Sequence, residues 1–481
     1  MLCEKPMEIP EIVAQVVLYL RRNTFVNCVR VSKGWRDMFL PYIWREVNVF
    51  KDYWNSPSPQ DLYPHRHLVH SLSLNHGGLF ELGTFVYPNL RSLKINDYQE
   101  YSPVETVSVD LAKTCPSLTH LKIVRYVVAE TTWMTLSALP HIKSLDLSQV
   151  HVEAIDAPWF WKVCERLEFL HMRESSIEGI IPEDLVFNRL RQLYMWSNWV
   201  DEEVQMDLVY RSAMLESLKW ELRDGHGPEA SRLVHHPIQR NNWPNLQQLR
   251  IDLNFQDAEL ASFIRGAGNG QRIITEFDCG FSELGAQSFK TLSVHFNTLV
   301  QVDLGYCDTS LRSTIPDILC SSPNLKNLRV GNVFAKDIAE RGPWVCQHLQ
   351  SLMVCFRVGD SEQCLQLHQL IFERLSTLIH LKNLTTWIPD LNDLAEGTLE
   401  FRLEYGLGQL TNLQEFSTIE FLRLFGRGYE PQLGMEEVAW MAGNLKKLKE
   451  ISGCLNSDEQ MESQLATAIE SLGIRYERME N

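Results

Sequence analysis

A short apolar motif recurs along most of this chain of 481 residues. Each copy has the form apolar-x-x-apolar-x-apolar, as in the stretch from Leu118 to Ile123. About fifteen copies occur, and their first residues are mostly 21 to 32 positions apart. The last two apolar positions are two residues apart, so their side chains share one face of a short strand. One copy cannot bury that face alone, so neighbouring copies must stack into a continuous core.

The copies differ in quality along the chain. Clear copies begin at Leu90, Leu118, Ile142, Leu167, Leu190, Leu215, Leu246, Leu299, Leu325 and Leu349. Weaker copies begin at Val69, Ile274, Leu381, Leu413 and Ile469. The segment near Leu445 and Leu448 fits the motif poorly. Between copies the chain must return to start the next parallel strand, usually through a helix; helix-like segments occur at 107–113 and 283–296.

The spacing of the copies resembles the leucine-rich-repeat family. That family places Asn or Cys three residues after the last strand position, and this chain has Asn198, Asn254 and Cys307 there. Most other copies lack this residue, and Arg357 stands at the position in one of them. The resemblance implies an α/β leucine-rich-repeat solenoid, a horseshoe with parallel strands on the concave side and helices or irregular turns on the convex side. We expect the array to be irregular towards its C-terminus.

Residues 1–47 do not fit the repeat and predict a small three-helix module instead. Apolar residues spaced i, i+3, i+4, i+7, i+8 and i+11 form one face of a first helix. They are Ile9, Ile12, Val13, Val16, Val17 and Leu20. Asn23 can cap a second helix, and a third segment ends at Pro41. A core this small is marginal alone, and spare apolar surface would favour a partner.

The same residues resemble the F-box family in order and spacing. The matching stretches are Ile9-Pro10-Glu11-Ile12-Val13, Leu20, Cys28 to Trp35, and Pro41-Tyr42-Ile43-Trp44. The family usually has Leu in place of Ile9. In that family these residues pack against the adaptor subunit that links F-box proteins to a cullin. The resemblance therefore implies an adaptor-binding set of Ile9, Pro10, Ile12, Val13, Leu20, Val31 and Trp35. The alternative is that several apolar residues of these helices only build the helical core. We favour the core for Val16, Val17 and Val29, and the adaptor for Ile9, Pro10 and Ile12.

Together the two resemblances imply three parts: an F-box over 1–47, a linker over 48–66, and a repeat array over 67–481. The linker carries Ser56-Pro57-Ser58-Pro59 and Pro64, a loop signal. The implied function is the substrate-recognition subunit of an SCF-type cullin-RING E3 ubiquitin ligase. The F-box would bind the adaptor and, through it, the cullin, and the repeats would bind an unknown target protein. The alternative is a non-catalytic, protein-binding scaffold with no ubiquitin role; an enzyme concealed in the array is a third reading.

The outward residues of the predicted strands form a candidate surface for binding the target protein. A basic and aromatic zone comprises His171, Arg173, Tyr194, Trp196, Lys219 and Arg250. An acidic zone beside it comprises Glu276, Asp278 and Asp303. Aromatic residues and Arg are enriched at the centres of protein interfaces. The alternative is an ordinary solvated strand face, because charged residues at exposed strand positions are common.

Composition excludes several other functions. The net charge of −16 argues against nucleic-acid binding and against an anionic membrane. Eleven cysteines without a C-x-x-C pair indicate reduced thiols, so we expect a cytoplasmic or nuclear location. There is no apolar run of 18 residues and no hydrolase or metalloprotease motif. We discount the cluster of His65, His67, His70 and His76 as a metal site. We therefore expect a non-catalytic adaptor without cofactor or metal.

Overall fold

A computed structural model describes most of the chain. The described residues are 10–50, 57–75, 85–96, 111–125, 130–222, 243–253, 255–267, 273–280, 282–305, 307, 314–359, 363–388, 397–420, 433–453, 455–456 and 458–478. Ile9, His76, Asn254 and residues 107–110 of the first helix-like segment, all named in the sequence analysis, lie outside them. The chain divides into two compact units, Met1–Ala213 and Met214–Asn481.

Three helices begin the first unit: α1 (Pro10–Val17), α2 (Arg22–Cys28) and α3 (Lys33–Arg45). Their common core is formed by the buried side chains of Val13, Phe25, Cys28 and Phe39. At the start of α3 the hydroxyl of Ser32 accepts a hydrogen bond from the backbone N–H of Trp35, at 3.2 Å. This N-cap satisfies one of the free N–H groups in the first helical turn.

Two details of these helices differ from the sequence prediction. Helix α3 continues through Pro41 to Arg45, so the predicted end at Pro41 was wrong. Proline removes one backbone hydrogen bond, but Tyr42 and Ile43 beyond it pack against the core, which offsets that loss. Helix α2 begins at Arg22, so Asn23 lies inside the first turn and not at the N-cap position.

A parallel sheet of seven strands follows in the first unit. Its strands are β1 (Glu46–Phe50), β2 (Ser71–Asn75), β3 (Ser92–Asn96), β4 (His120–Val124), β5 (Ser144–Ser148), β7 (Phe169–Arg173) and β9 (Gln192–Asn198). From β2 onward the register aligns the central leucine of every motif copy, from Leu72 to Leu193. These leucines are buried on one side of the sheet. The predicted strands of this unit are therefore confirmed.

Short strands and helices connect the main strands of the first unit. Strands β6 (His151–Val152) and β8 (Ser176–Ile177) form a separate two-stranded parallel sheet. The helices are α4 (Pro59–Leu62), a 3₁₀ turn (Tyr63–Leu68), α5 (Leu111–Thr114), α6 (Glu130–Ser137), α7 (Ala157–Cys164) and α8 (Glu202–Tyr210). Phe160 on α7 meets the rings of Trp133 and Trp161 edge-on, with centroids 5.0 and 4.8 Å apart. All three rings are buried, so aromatic packing closes the core between the helices.

The segment predicted as a linker, 48–66, contains regular structure. Residues 48–50 complete β1, which pairs in parallel with β2. Helix α4 and the start of the 3₁₀ turn occupy 59–66, and residues 51–56 lie outside the described part of the chain. Val47 is buried and aligned with Leu72, so the sheet begins before the first motif copy, directly after α3.

The second unit repeats the arrangement of parallel strands and intervening helices. Its strands are β10 (Ser217–Leu222), β11 (Gln248–Asp252), β12 (Glu276–Asp278), β13 (Gln301–Leu304), β14 (Asn327–Phe334), β15 (Ser351–Arg357), β16 (Asn383–Ile388), β17 (Glu415–Glu420), β18 (Glu450–Gly453) and β19 (Arg475–Glu477). Its α-helices are α9 (Asp257–Gly266), α10 (Ala286–Ser293), α11 (Ile315–Ser321), α12 (Ala335–Ala339), α13 (Cys364–Ser376), α14 (Met435–Asn444) and α15 (Glu459–Ser471). Each unit thus has the leucine-rich-repeat fold.

The last two repeats differ from the prediction. Ile451 in β18 aligns with Phe416 in β17, so the poorly fitting segment is a true copy whose third apolar position is Gly453. The copy predicted to begin at Ile469 was wrong, because Ile469 lies in α15 and Leu472 is exposed. Residues three apart lie on one side of a helix, so Ile469 and Leu472, at the end of α15, matched the first spacing of the motif.

Candidate functional site

The N-terminal helices expose part of the predicted adaptor-binding set. Ile12 on α1 is exposed, and Val31, in the turn before α3, is 64% exposed. Leu20 and Trp35 are half-buried and pack against the core of the three helices. These four residues can offer apolar surface to a partner.

Other members of the set are placed differently. Val13 is only 2% exposed and belongs to the core, so its predicted contact with an adaptor is corrected: a buried side chain has no free surface. Pro10 is the first residue of α1. Val17 and Val29 pack against the core, as the core interpretation predicted.

Three exposed apolar residues of the helices were missed in the sequence. Tyr19 is 85% exposed, and Leu18 and Val26 are exposed as well. Leu18 and Tyr19 follow the last residue of α1 and do not share the spacing of its buried face. The sequence could have indicated them only indirectly, because apolar residues that fit no buried helical face are expected to be exposed.

The sheet of the first unit presents a polar face opposite its buried leucines. Strand register places Lys122, Asp146, His171 and Tyr194 side by side in one row. In the next row Arg173 is aligned with Trp196. The structure therefore brings together four predicted residues of the basic and aromatic zone: His171, Arg173, Tyr194 and Trp196.

Asp146 lies at the centre of the first row and binds both neighbours. Its Oδ2 is 2.6 Å from Lys122 Nζ, and its Oδ1 is 3.1 Å from His171 Nδ1. Burial alone would raise the pKa of Asp146, but the hydrogen bonds from His171 and Lys122 outweigh it and lower the pKa. These contacts hold the imidazole and the ammonium in place along the row.

Aromatic contacts continue from this row to the last strand of the unit. The guanidinium carbon of Arg173 lies 4.2 Å from the centre of the Trp196 ring, a cation–π contact. Tyr194 meets Phe169 edge-on at 5.4 Å and His171 at 6.0 Å between ring centroids. Trp196 is 42% exposed, so part of its ring is accessible to solvent next to the guanidinium of Arg173.

A polar ladder follows the strands at the position four residues after each central leucine. Arg125, Gln149, Glu174 and Ser197 all have positive φ, between 49° and 56°. Arg125 Nε donates to Gln149 Oε1, and Gln149 Nε2 donates to Glu174 Oε2. The hydrogen bond from Gln149 and the contact with Arg173 keep the pKa of Glu174 below its usual value. The residue types vary, so no sequence pattern pointed to this ladder.

Two residues at the family's Asn/Cys position, three residues after the last apolar strand position, bind backbone groups of the preceding repeat. Asn198 is buried; its Oδ1 accepts from Ser175 N–H and its Nδ2 donates to Met172 O, both at 3.0 Å. Cys307 Sγ donates to Ser282 O at 2.9 Å. Side chains at this position therefore join successive turns of the array.

Arg357 occupies the same position as Asn198 in its own repeat. Its side chain is buried, and its Nε donates to Asn332 Oδ1 at 2.9 Å. Asn332 belongs to β14 of the preceding repeat. A buried arginine thus replaces the shorter turn residue and still links two repeats.

The second unit carries the other five predicted residues. Glu276, at the start of β12, accepts a hydrogen bond from Gln248 Nε2 at 3.0 Å. Lys219, Arg250, Asp278 and Asp303 are aligned in one row. Arg250 Nε lies 3.2 Å from Asp278 Oδ2, and Arg329 Nη1 lies 3.4 Å from Asp303 Oδ2. The two cations thus lie beside the two carboxylates, in the predicted order, and Arg250 pairs with Asp278 where the two zones meet.

Asp278 has an unusual environment within that row. Burial, together with the carboxylate of Asp303, raises the pKa of Asp278 to about 6, although Arg250 acts in the opposite direction. Asp278 is therefore half-protonated at about pH 6, and not at about pH 4 as an ordinary aspartate is. The next residue, Cys279, is buried on the other side of the sheet, where its Sγ lies 3.0 Å from Cys307 Sγ.

Two glycines allow side chains to lie across this part of the sheet. A Cβ on Gly280 would come 1.9 Å from Asp252 Oδ1, and a Cβ on Gly305 would come 2.7 Å from Arg329 Nε. Gly280 also has a positive φ of 36°, which L side chains disfavour. The glycines thus leave room for the charged neighbours of Asp278 and Asp303.

No metal site or membrane span is present in the part of the chain that the structure describes. No group of three or more His, Cys, Asp or Glu residues there could hold a metal ion. None of the helices within the described ranges has the length and apolar character needed to cross a bilayer.

Known proteins resemble this chain in structure only. No protein-family model matches it, and no curated protein sequence matches it. A leucine-rich-repeat protein of Leptospira interrogans superimposes with a TM-score of 0.41 at 13% identity, over 91% of this chain and 96% of that one. The ectodomain of the Arabidopsis receptor kinase HAESA, solved with an IDA peptide hormone, gives 0.40 at 15% identity, over 85% and 65%.

A third leucine-rich-repeat structure is similar at the same level. The ectodomain of the Arabidopsis thaliana receptor kinase GASSHO1/SCHENGEN3, in complex with CASPARIAN STRIP INTEGRITY FACTOR 2, gives a TM-score of 0.34 at 13% identity. The match covers 89% of this chain and 54% of that one. Likeness at this level carries no information on ligands or partners.

Proposed function

We propose that this chain is the substrate-recognition subunit of an SCF-type, cullin-RING E3 ubiquitin ligase. In this role the three N-terminal helices bind the adaptor subunit and, through it, the cullin. The repeats bind a target protein, and the chain works in the cytoplasm or nucleus. The thioester chemistry belongs to other subunits, and this chain contributes the proximity and orientation of a target lysine.

The apolar surface of the N-terminal helices carries the proposal. Between residues 12 and 31 the exposed large apolar side chains are Ile12, Leu18, Tyr19, Val26 and Val31. Each buried Å² of apolar surface stabilises a complex by roughly 25 cal/mol before the costs of association. A small helical module with this much exposed apolar surface gains stability when a partner covers it. Ile12 and Val31 are also among the contacts that the F-box resemblance implies.

Ser32 and Trp35 support the same interpretation. Both belong to the stretch that resembles the F-box motif, and the Ser32 hydroxyl caps the helix that carries Trp35. Trp35 packs on the core next to Phe39, with ring centroids 5.5 Å apart. Ser32 and Trp35 therefore fix the start of α3 on the helical core, and Val31 stays exposed in the turn before them.

A second candidate function is a protein-binding scaffold with no ubiquitin role. The position of Val13 favours it, because this implied adaptor contact is buried in the helical core. The exposed set is thus not identical to the set that the resemblance implies. In that case the same apolar surface binds a different partner.

Capture of purified adaptor and cullin by the full-length chain separates the two functions. We expect the wild type to retain both subunits and the double variant Pro10→Ala with Ile12→Asp to lose them. Ile180→Asp is the matched control, because Ile180 is 78% exposed and lies in the repeats. The control should bind as the wild type does. A wild-type chain that retains neither subunit contradicts the ligase proposal and leaves the scaffold.

A further inference from the structure

The polar face of the first unit is basic, although the whole chain has a net charge of −16. We consider the outward positions of β3, β4, β5 and β7, together with the residue that follows each strand. Where the structure describes them, these positions carry four cations and two carboxylates. The cations are Lys94, Lys122, Arg125 and Arg173, and they are named the basic face here. The carboxylates are Asp146 and Glu174. This face is therefore a local region of positive potential on an acidic chain.

Both carboxylates are already engaged by neighbours within the sheet. Asp146 contacts Lys122 and His171. Glu174 accepts from Gln149 and contacts Arg173 at 3.1 Å. Among the described residues Lys94 has no ion-pair partner, and the strand register places it next to Lys122. Lys94 therefore adds a positive charge to the row that contains Lys122.

The basic face ends at an exposed aromatic ring. Trp196 stands next to Arg173 in the last strand of this unit, and their cation–π contact holds the guanidinium over the indole. In the neighbouring row the Tyr194 ring meets Phe169 and His171 edge-on, so a second aromatic ring lies next to Trp196 on the same face. Such a rigid, half-exposed aromatic group beside an arginine has the composition of an interface centre.

From this juxtaposition we propose that the basic face binds an extended acidic segment of the target protein, with an aromatic residue of that segment packed on Trp196. The inference rests on the proposed function, because it assumes that the repeats bind a protein. A polynucleotide fits less well, since Asp146 and Glu174 lie between the cations and would repel closely spaced phosphates. Carboxylates on alternate residues of an extended peptide can reach successive cations and avoid these two groups.

Random copolymers serve as probes while the target is unidentified. Fluorescently labelled glutamate–tyrosine copolymer, lysine–tyrosine copolymer and polyuridylate are titrated with the full-length chain, and anisotropy is followed. We expect the glutamate–tyrosine copolymer to bind at least about tenfold more tightly than the other two, a difference that matches the loss of a few exposed charge contacts. Raising the salt concentration should weaken its binding, because exposed charges are screened.

Variants of the chain locate the binding to this face. Lys94→Glu with Arg173→Glu, and separately Trp196→Ala, should each weaken binding of the acidic copolymer about tenfold. Lys162→Glu reverses one charge on helix α7, away from this face, where Lys162 is exposed, and should bind as the wild type. Circular dichroism melting confirms that each variant is folded, and Trp196→Phe should retain most of the binding if the ring itself is required.

Three results would overturn the inference: equal binding of the acidic and basic copolymers, tighter binding of polyuridylate, or undiminished binding by the folded double variant. Adaptor capture measured on the same preparation separates this failure from that of the proposed function. If the adaptor is retained but the acidic copolymer is not bound, the inference alone fails. If the copolymer is bound but no adaptor is retained, the ligase role fails and the acidic-segment site stands.

Discussion

The indole ring of Trp44 stacks on the imidazole of His65, with ring centroids 4.5 Å apart and planes 21° from parallel. Trp44 belongs to α3, and His65 belongs to the 3₁₀ turn that precedes β2. The backbone N–H of His70 also donates to Arg45 O at 2.9 Å. The N-terminal helices are therefore fixed to the first repeat by side-chain and backbone contacts.

Removing this ring should loosen the helices from the repeat. We expect Trp44→Ala to destabilise the first unit by about 2 kcal/mol, from lost burial and ring stacking. Hydrogen exchange should then increase across residues 10–45. Trp199→Ala is the control, because Trp199 is largely exposed. Unchanged protection of α3 in Trp44→Ala would show that the stacking does not hold the module.

Asn198 should be among the most sensitive polar residues of the first unit. Asn198→Ala leaves Ser175 N–H and Met172 O buried without their partner, which should cost about 2–4 kcal/mol of unfolding free energy. Asn198→Asp keeps an acceptor for Ser175 N–H but loses the donor to Met172 O, so it should also destabilise the unit. Urea denaturation measures both. A loss below about 0.5 kcal/mol in the alanine variant would mean that water replaces the bridge.

Asp257 connects two repeats of the second unit as a cap. Its carboxylate accepts from the backbone N–H groups of Gly285, Gln287 and Ser288, at the start of α10, and from the Ser288 hydroxyl. Burial would raise the pKa of Asp257, but these hydrogen bonds outweigh it and lower the pKa. Asp257→Ala should cost about 1–2 kcal/mol, the usual value of an N-cap.

The pH dependence of this cap has a definite sign. Because the pKa of Asp257 is lower in the folded chain than in the unfolded chain (about 3.9), its contribution is full above the unfolded pKa. The contribution is lost as the pH falls through the folded pKa. The difference in stability between wild type and Asp257→Ala, measured by urea denaturation, should therefore shrink at acid pH. Asp184→Ala, at an exposed position, should show no such trend, and a constant Asp257 difference would contradict the cap.

Asp278 should behave in the opposite way. Its pKa is raised to about 6 in the folded chain, so the folded state is favoured by protonation and loses stability as the pH rises from about 4 towards 6. Asp278→Asn removes this ionisation and should stabilise the second unit by roughly 1–2 kcal/mol at pH 7. The gain should disappear below about pH 4. A destabilised asparagine variant at pH 7 would instead show that the ion pair with Arg250 dominates.

Most of the repeat array was predictable because its signal is periodic. The buried leucines from Leu72 to Leu193 are aligned strand by strand, as the motif required. The pattern failed where another structure uses similar spacing, as at Ile469 in α15. It also failed where the third apolar residue is replaced, as at Gly453. Periodicity thus located the main strands from β2 onward, but it misplaced the last copies and did not reveal β1.

The surfaces were less predictable, because they depend on pairs of residues from different strands. The row containing Asp146, His171 and Tyr194 followed from the repeat. The pairing of Arg250 with Asp278 did not, because sequence gives the row but not which side chains turn towards each other. The exposure of Tyr19 beyond the end of α1 was likewise missed, since helix spacing describes only the buried face.

The binding of the adaptor subunit to the full-length chain tests the central claim most directly. Isothermal titration calorimetry with purified adaptor should give a one-to-one complex with a negative heat-capacity change, because apolar surface is buried. Val31→Asp should abolish this binding without unfolding the chain, since Val31 is exposed, whereas Ile180→Asp should leave it unchanged. The absence of measurable heat with the folded wild-type chain, or full binding by Val31→Asp, would contradict the assignment of the N-terminal helices as the adaptor-binding module.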